Sequence, residues 1–176
     1  MKLYGEKITI IFVEGFDCSG KSTMCNKLKE IKGIPVYKTF SQRKTDRNYD
    51  MKIEKEIGLK RRIDADLYIS DFISQMNKEI SYISDRSILS YMFYEKEDKL
   101  MFKWWNDNLK KIKGEKILIF CKTDYNTQKF LLEKRYKKEI DKKTIKEFVK
   151  KSNNFLKFVK RYWKYELKVI NPMNYI

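Results

Sequence analysis

Two patterns of apolar and polar positions divide the chain. From Ile8 to Val13 (ITIIFV) the residues are almost all apolar and mostly β-branched, which predicts a strand buried on both faces. A glycine-containing loop follows. Then Met24, Leu28 and Ile31 recur on one side of a helical stretch closed by Gly33, a common helix terminator. Ile34-Pro35-Val36-Tyr37 starts a second short strand, and the polar residues 41–50 read as a loop. From Met51 to about Lys78 the spacing is helical, clearest at Ile69, Phe72, Ile73 and Met76. Ile80 to Ser84 predicts a third strand, and Ser87 to Tyr94 and Lys99 to Ile112 predict helices. Gly114 breaks the chain before a fourth strand at Ile117 to Phe120. Two helices are expected over 125–138 and 141–165, the second with Ile145, Phe148, Val149, Leu156, Val159 and Trp163 along one face. Leu167 to Ile170 makes a fifth strand, closed by Asn171-Pro172. Strands alternating with helices imply parallel pairing and right-handed crossovers. With no repeat, low-complexity tract or linker, the expectation is one α/β domain over 1–176: a doubly wound, five-stranded parallel sheet flanked by helices.

Composition narrows the chemistry. The 176 residues suffice for one substantial core, and 42% apolar with 15% aromatic content suits a folded globule. No apolar run approaches the roughly 18–20 residues of a membrane span. MKLYGEK leads into a strand-like run rather than an apolar signal segment, so no signal peptide and no membrane association are expected. Cys18, Cys25 and Cys121 form an odd set without a motif, so neither a disulfide framework nor a zinc site is implied. A reducing, cytoplasmic home follows as the expectation. The net charge of +16 is read as lysine-rich solvated helix faces, because acids such as Glu133, Glu139, Asp141 and Glu147 intervene. Attraction to a polyanion, nucleotide or nucleic acid, is the alternative. Histidine is absent, which removes imidazole acid–base and metal chemistry and leaves carboxylates, lysine, arginine and bound metal.

Residues 15–22, GFDCSGKS, match G-x-x-x-x-G-K-[ST] directly between the best strand and a good helix, the context that this phosphate-binding motif requires. Gly15 and Gly20 let the backbone turn tightly with its N–H groups inward. Those amides and the helix N-terminus form an anion cradle. Lys21 supplies a positive charge for the β and γ phosphates, and the Ser22 hydroxyl is a candidate Mg²⁺ ligand. The expected ATP contacts are Gly15, Phe16, Asp17, Cys18, Ser19, Gly20, Lys21, Ser22 and Thr23. Cys18 is read as filling a permissive loop position rather than as a redox switch. Asp85, at the end of a predicted central strand, stands where open α/β sheets place ligands. Its carboxylate suits a water-mediated hold on Mg²⁺ or acceptance of a proton. Arg86 is a planar fork for a phosphate. The plainer alternative for this pair is a strand-end turn with a surface ion pair.

EGFDCSGKST (Glu14 to Thr23) resembles the phosphate loop of thymidylate kinases, E-G-x-D-x-x-G-K-S-T. SDRSILSYMFY (Ser84 to Tyr94) resembles the D-R-[YS] segment after the third strand in thymidylate and deoxynucleoside kinases, and FLLEKRYKKE (Phe130 to Glu139) falls where that superfamily has its basic lid. The resemblance implies a P-loop NTPase fold of nucleoside monophosphate kinase type, a short basic lid around 125–143, ATP with Mg²⁺ as donor, and a homodimer. It implies that Asp17 touches the acceptor's sugar 3′-hydroxyl, where the alternative is a turn residue capping local N–H groups. Some thymidylate kinases carry an arginine inside the loop to stabilise the transferring group. Here Phe16, Asp17, Cys18 and Ser19 fill those positions and none is basic. Arg135, backed by Lys134, Lys137 and Lys138, is therefore the candidate for that charge, against a solvated helix face as alternative.

Two departures bear on the acceptor. After the second strand the family shows Arg-Glu-Pro or Glu-Pro, whereas this chain has Tyr37-Lys38-Thr39-Phe40-Ser41. The missing glutamate favours a monophosphate acceptor, which needs no strong base. The family's stacking Phe and phosphate-binding Arg align with Ile63, Ala65 and Leu67, leaving Arg61, Arg62, Tyr68 and Phe72 as substitutes. The substrate-binding candidates are thus Asp17, Phe40, Tyr68 and Arg86, and the catalytic ones Asp17, Lys21, Asp85, Arg86 and Arg135. The expected function is ATP-dependent phosphorylation of a deoxynucleoside monophosphate of pyrimidine type. Alternatives are a deoxynucleoside kinase, a kinase of polynucleotide 5′-hydroxyl ends, and a non-kinase P-loop module.

Overall fold

The fold is built on β1, Thr9–Glu14, which lies between two parallel neighbours. A computed structural model describes residues 8–38, 81–95 and 99–175. Along these run β1, α1 (Lys21–Lys32), β2 (Val36–Lys38), β3 (Tyr82–Asp85), α2 (Ile88–Glu95), α3 (Lys99–Lys111), β4 (Glu115–Cys121), α4 (Tyr125–Tyr136), α5 (Lys142–Tyr162), β5 (Glu166–Ile170) and a 3₁₀ turn, Pro172–Tyr175. The five strands form one sheet in the order β2-β3-β1-β4-β5, all pairs parallel. In register, Val13 faces Asp85 on one side and Ile119 on the other. The loop after β1 therefore opens between the C-terminal ends of β3 and β4, where open α/β sheets place their ligands.

Period-two alternation assigns the two faces of the buried strands. Ile10 and Phe12 of β1 and Leu118 and Phe120 of β4 join one core, with Leu89, Trp105, Leu109, Phe155 and Val159 from the helices. Ile11, Val13, Ile119 and Cys121 join the other, with Met24 and Cys25 of α1. A strand that must fill both layers has no polar face to spare, hence ITIIFV. Aromatic rings dominate the first core. Phe12 meets Trp105 and Trp163 edge-on at 5.7 and 5.5 Å between centroids, and Phe155 stacks on Phe93 at 4.4 Å.

Element boundaries differ from the pattern-based expectation wherever backbone partners overrule side-chain type. β2 begins at Val36 rather than Ile34: Pro35 has no N–H, and its carbonyl accepts from Ile83 N at 2.8 Å. β3 runs to Asp85, beyond the expected Ser84, because it pairs with β1 as far as Val13. β4 starts at Glu115, two residues before its apolar run, as Glu115 N donates to Ile8 O at 2.8 Å. α4 stops at Tyr136 with Lys137 left-handed (φ 55°). α5 stops at Tyr162, because Trp163 turns extended and its indole Nε1 donates to Glu166 O at 2.8 Å. The helix expected over 51–78 and the loop at 41–50 lie outside the described residues.

Phe155 is fully buried and also meets Phe120 edge-on at 5.4 Å. Phe155→Ala is expected to lower the unfolding free energy by about 3–5 kcal/mol through the cavity it leaves. Urea unfolding followed by tryptophan fluorescence measures this directly.

Candidate active site

Gly15 opens the loop at φ 151°, and a side chain there would collide with the backbone: a Cβ would lie 2.7 Å from Cys121 O and 2.5 Å from Ser19 Oγ. Gly20 closes it in the left-handed region (φ 79°), its α-carbon face against Pro172, whose ring atoms would stand 2.9 Å from a Cβ. Both glycines are thus demanded by the space as well as by the turn. Between them the Phe16 side chain is buried, packed on Tyr94 of α2 (5.9 Å between centroids) and Phe148 of α5 (5.5 Å). Phe16 therefore pins the loop to two helices, and what it presents inward is its carbonyl. Lys21, buried, donates from Nζ to Phe16 O at 2.8 Å and lies 3.5 Å from Ser19 Oγ. Burial, and then the charge of Arg86, push its pKa down to about 8. Ser22 and Thr23 are exposed on the first turn of α1.

The corner between β3 and α2 carries the second group. Asp85 is buried at the strand end. Arg86 adopts the left-handed conformation (φ 83°), costly for a residue with a side chain. Two hydrogen bonds hold it there: its amide donates to Val13 O at 3.0 Å and Ser84 Oγ donates to its carbonyl at 2.7 Å. The guanidinium then reaches across to Asp17 in the loop at 2.9 Å, with Ser90 Oγ at 3.3 Å. Asp17 and Arg86 are thus directly paired, which sequence distance alone does not indicate.

Glu14, to which the sequence analysis gave no role, ties this corner to β1. It is fully buried, and its carboxylate accepts from Ser87 N (2.6 Å), Ser87 Oγ (2.7 Å) and Ser90 Oγ (2.6 Å). Leu89 N donates to Ser87 Oγ, and Arg86 donates to Ser90 Oγ. Both hydroxyl protons are therefore free to point at Glu14, the arrangement of an ionised acceptor. Burial raises its pKa; the hydrogen bonds and Arg86 oppose the rise. The only sequence signal was a charged residue ending an apolar strand.

Arg135 lies on α4, in the expected lid. It donates to Cys18 Sγ at 3.2 Å, while Gln128 of the same helix donates to Cys18 O at 3.3 Å. Two turns of α4 thus touch the loop at Cys18. The neighbouring cations do otherwise: Lys134 lies over the Phe130 ring at 5.8 Å, and Lys137 closes the helix. The structure brings Asp17, Lys21, Arg86 and Arg135 around the loop. Phe40 and Tyr68 lie outside the described residues.

Comparison with known proteins agrees with this geometry. No protein-family model matches the chain. A thymidylate kinase of Campylobacter jejuni subsp. jejuni (serotype O:23/36, strain 81-176) is 30% identical over 150 residues, covering 79% of this chain and 77% of that protein. The thymidylate kinase of Campylobacter jejuni subsp. doylei is 30% identical over 164 residues, covering 84% of each. The chain belongs to the thymidylate kinase family. As a member it is a nucleotide kinase, a phosphotransferase. Among solved structures, a deoxyadenosine kinase from M. mycoides with dCMP and dCDP superposes with a TM-score of 0.56 at 17% identity, covering 93% of this chain and 91% of that one. The YorR protein of Bacillus subtilis, in complex with phosphorylated GDP, gives 0.54 at 17% identity, covering 92% and 85%. These two show the P-loop kinase fold. No helix among the described residues is long and apolar enough to cross a membrane.

Glu14→Gln keeps the shape but turns an amide donor toward Ser87 or Ser90. We expect it to cost about 2 kcal/mol of stability and to loosen Arg86. Denaturant unfolding that matched the wild type would contradict the assignment of Glu14 as the triple acceptor.

Proposed function

We propose that this kinase transfers the γ-phosphoryl group of ATP to a deoxynucleoside monophosphate, with a thymidylate-like acceptor. The observation that supports this over a nucleoside acceptor is the engagement, among the described residues, of Glu14 and Asp17, the two carboxylates of the phosphate-loop segment, with Asp85 assigned to Mg²⁺ in this reading. Glu14 is held by Ser87 and Ser90, and Asp17 by Arg86. A hydroxyl acceptor needs a base to take its proton, whereas the oxygen of a monophosphate is already ionised. In this reading Lys21 and the loop amides hold the β and γ phosphates, Arg86 grips the acceptor phosphate, and Asp17 orients the acceptor sugar.

The oxygen donors at the loop suit Mg²⁺ arriving with the nucleotide. Ser22 offers an exposed hydroxyl and Asp85 a carboxylate at the adjoining strand end. No group of three or more His, Cys, Asp or Glu able to hold a metal occurs among the described residues. Mg²⁺ keeps several waters and takes only one or two protein oxygens besides phosphate. Held by Ser22 and Asp85, Mg²⁺ would supply positive charge that offsets the charge of the β and γ phosphates. Arg135, set against Cys18 in the loop, is the residue that adds its charge to the transferring group in this reading. Closure of α4 and its following turn over the nucleotide keeps water out, which limits wasteful hydrolysis.

A panel of nucleosides and nucleoside monophosphates with ATP, read by product mass, tests the acceptor. Conversion of thymidylate to its diphosphate, with thymidine untouched, is the expected result; thymidine phosphorylation would replace this reading with a deoxynucleoside kinase. Arg135→Ala is expected to lower kcat roughly a thousandfold while the KM for ATP changes little. An unchanged kcat in steady-state assays would remove Arg135 from the chemistry.

A further inference from the structure

Folding sorts the lysines of α5 in a way that linear composition conceals. At roughly 100° per residue, six of its seven lysines, Lys142, Lys143, Lys146, Lys150, Lys157 and Lys160, fall within an arc of about 100° on one side of the helix, and Lys151 lies outside it. Each is exposed. Arg161 joins the edge of the same arc, its guanidinium over the Tyr162 ring at 5.4 Å. Glu147, the one acidic residue within α5, falls outside the arc. Asp141 sits before the helix and is taken up in capping it, accepting from Thr144 N at 2.9 Å. From Lys142 to Arg161 the stripe runs about 28 Å at 1.5 Å per residue.

We propose that this stripe is a nucleic-acid-binding surface that engages the sugar–phosphate backbone without reading sequence. A linear polyanion matches a straight, single-sign row of cations, and lysines act as point charges suited to phosphates in any base context. A bilayer is the poorer fit. Ile145, Phe155, Leu156 and Val159, the apolar side of the same helix, are buried in the protein core, so the helix has nothing to insert among lipid chains. An acidic protein partner would be expected to meet an apolar centre as well as charge, and the stripe offers none. The surface is separate from the phosphate loop and does not depend on the acceptor proposed above.

Fluorescence anisotropy with a labelled DNA duplex of about 20 base pairs, longer than the stripe at 3.4 Å per pair, tests the inference. The same assay uses a labelled single strand of equal length, to distinguish the two forms of the backbone. The wild type should bind at about 50 mM salt and weaken steeply by about 200 mM, with a logarithmic salt slope of roughly −3 to −5. Lys146→Glu, Lys150→Glu and Lys157→Glu combined should bind at least tenfold more weakly and flatten the slope by about 1 per lost contact. The nucleotide kinase rate should stay as in the wild type. Should that variant fold poorly, Lys→Gln at the same three positions should also flatten the slope. Equal binding by variant and wild type, no binding of either nucleic acid at low salt, or binding only to phosphatidylserine vesicles would overturn the proposal.

Discussion

The ammonium group of Lys21 is the charge around which the loop is organised. A lysine so little exposed loses hydration, and its pKa falls to about 8 in response. What offsets that cost is a carbonyl at 2.8 Å and the nearby negative charges of Asp17 and Glu14. An ordinary surface lysine would bind phosphate weakly, screened by water and salt. A buried one gains far more from a triphosphate than it would in solvent. Phe16 makes this possible from the other side, since its ring is seated between Tyr94 and Phe148 while its carbonyl points at Lys21.

The same logic extends to the corner after β3. Arg86 sits in a backbone conformation that is unfavourable for any residue but glycine. The surrounding bonds to Val13, Ser84, Ser90 and Asp17 overdetermine it. Glu14 anchors two of the serines from beneath, so the end of β1, the loop and the start of α2 form one polar network. Arg86 and Lys21 are both cationic, and the charge of Arg86 lowers the pKa of Lys21; Asp17 and Glu14 keep the pair from being prohibitive. The arrangement favours a ligand with two separate clusters of negative charge, as a donor and an acceptor nucleotide together would supply.

Much of this was legible in the sequence because its causes are local. The strand ITIIFV had to be buried on both faces, and a glycine-bounded loop before a helix had to expose amides. Arg135 stands out in the sequence because the variable positions of the loop carry no positive charge, and the structure sets it against Cys18. The contacts that escaped are those between residues far apart in the chain. Glu14 and Ser87 are 73 positions apart, and Arg86 and Asp17 are 69; no periodicity announces such pairs. Ser152 and Phe155 of α5 are buried beside the expected Ile145, Leu156 and Val159, while Phe148 and Val149 are half-buried: the buried face is as wide as the apolar residues mark but turned by about 20°. The lysines are solvated as their pattern implies; what linear order does not display is that the helix gathers six of them on one side.

The most direct test of the account is calorimetric titration of the folded protein with ATP and magnesium, for the wild type and for Lys21→Met. The account predicts clear binding by the wild type and near-complete loss in the variant, with the variant's thermal unfolding showing that it remains folded. Equal binding by both proteins would contradict the claim that the buried ammonium group holds the triphosphate.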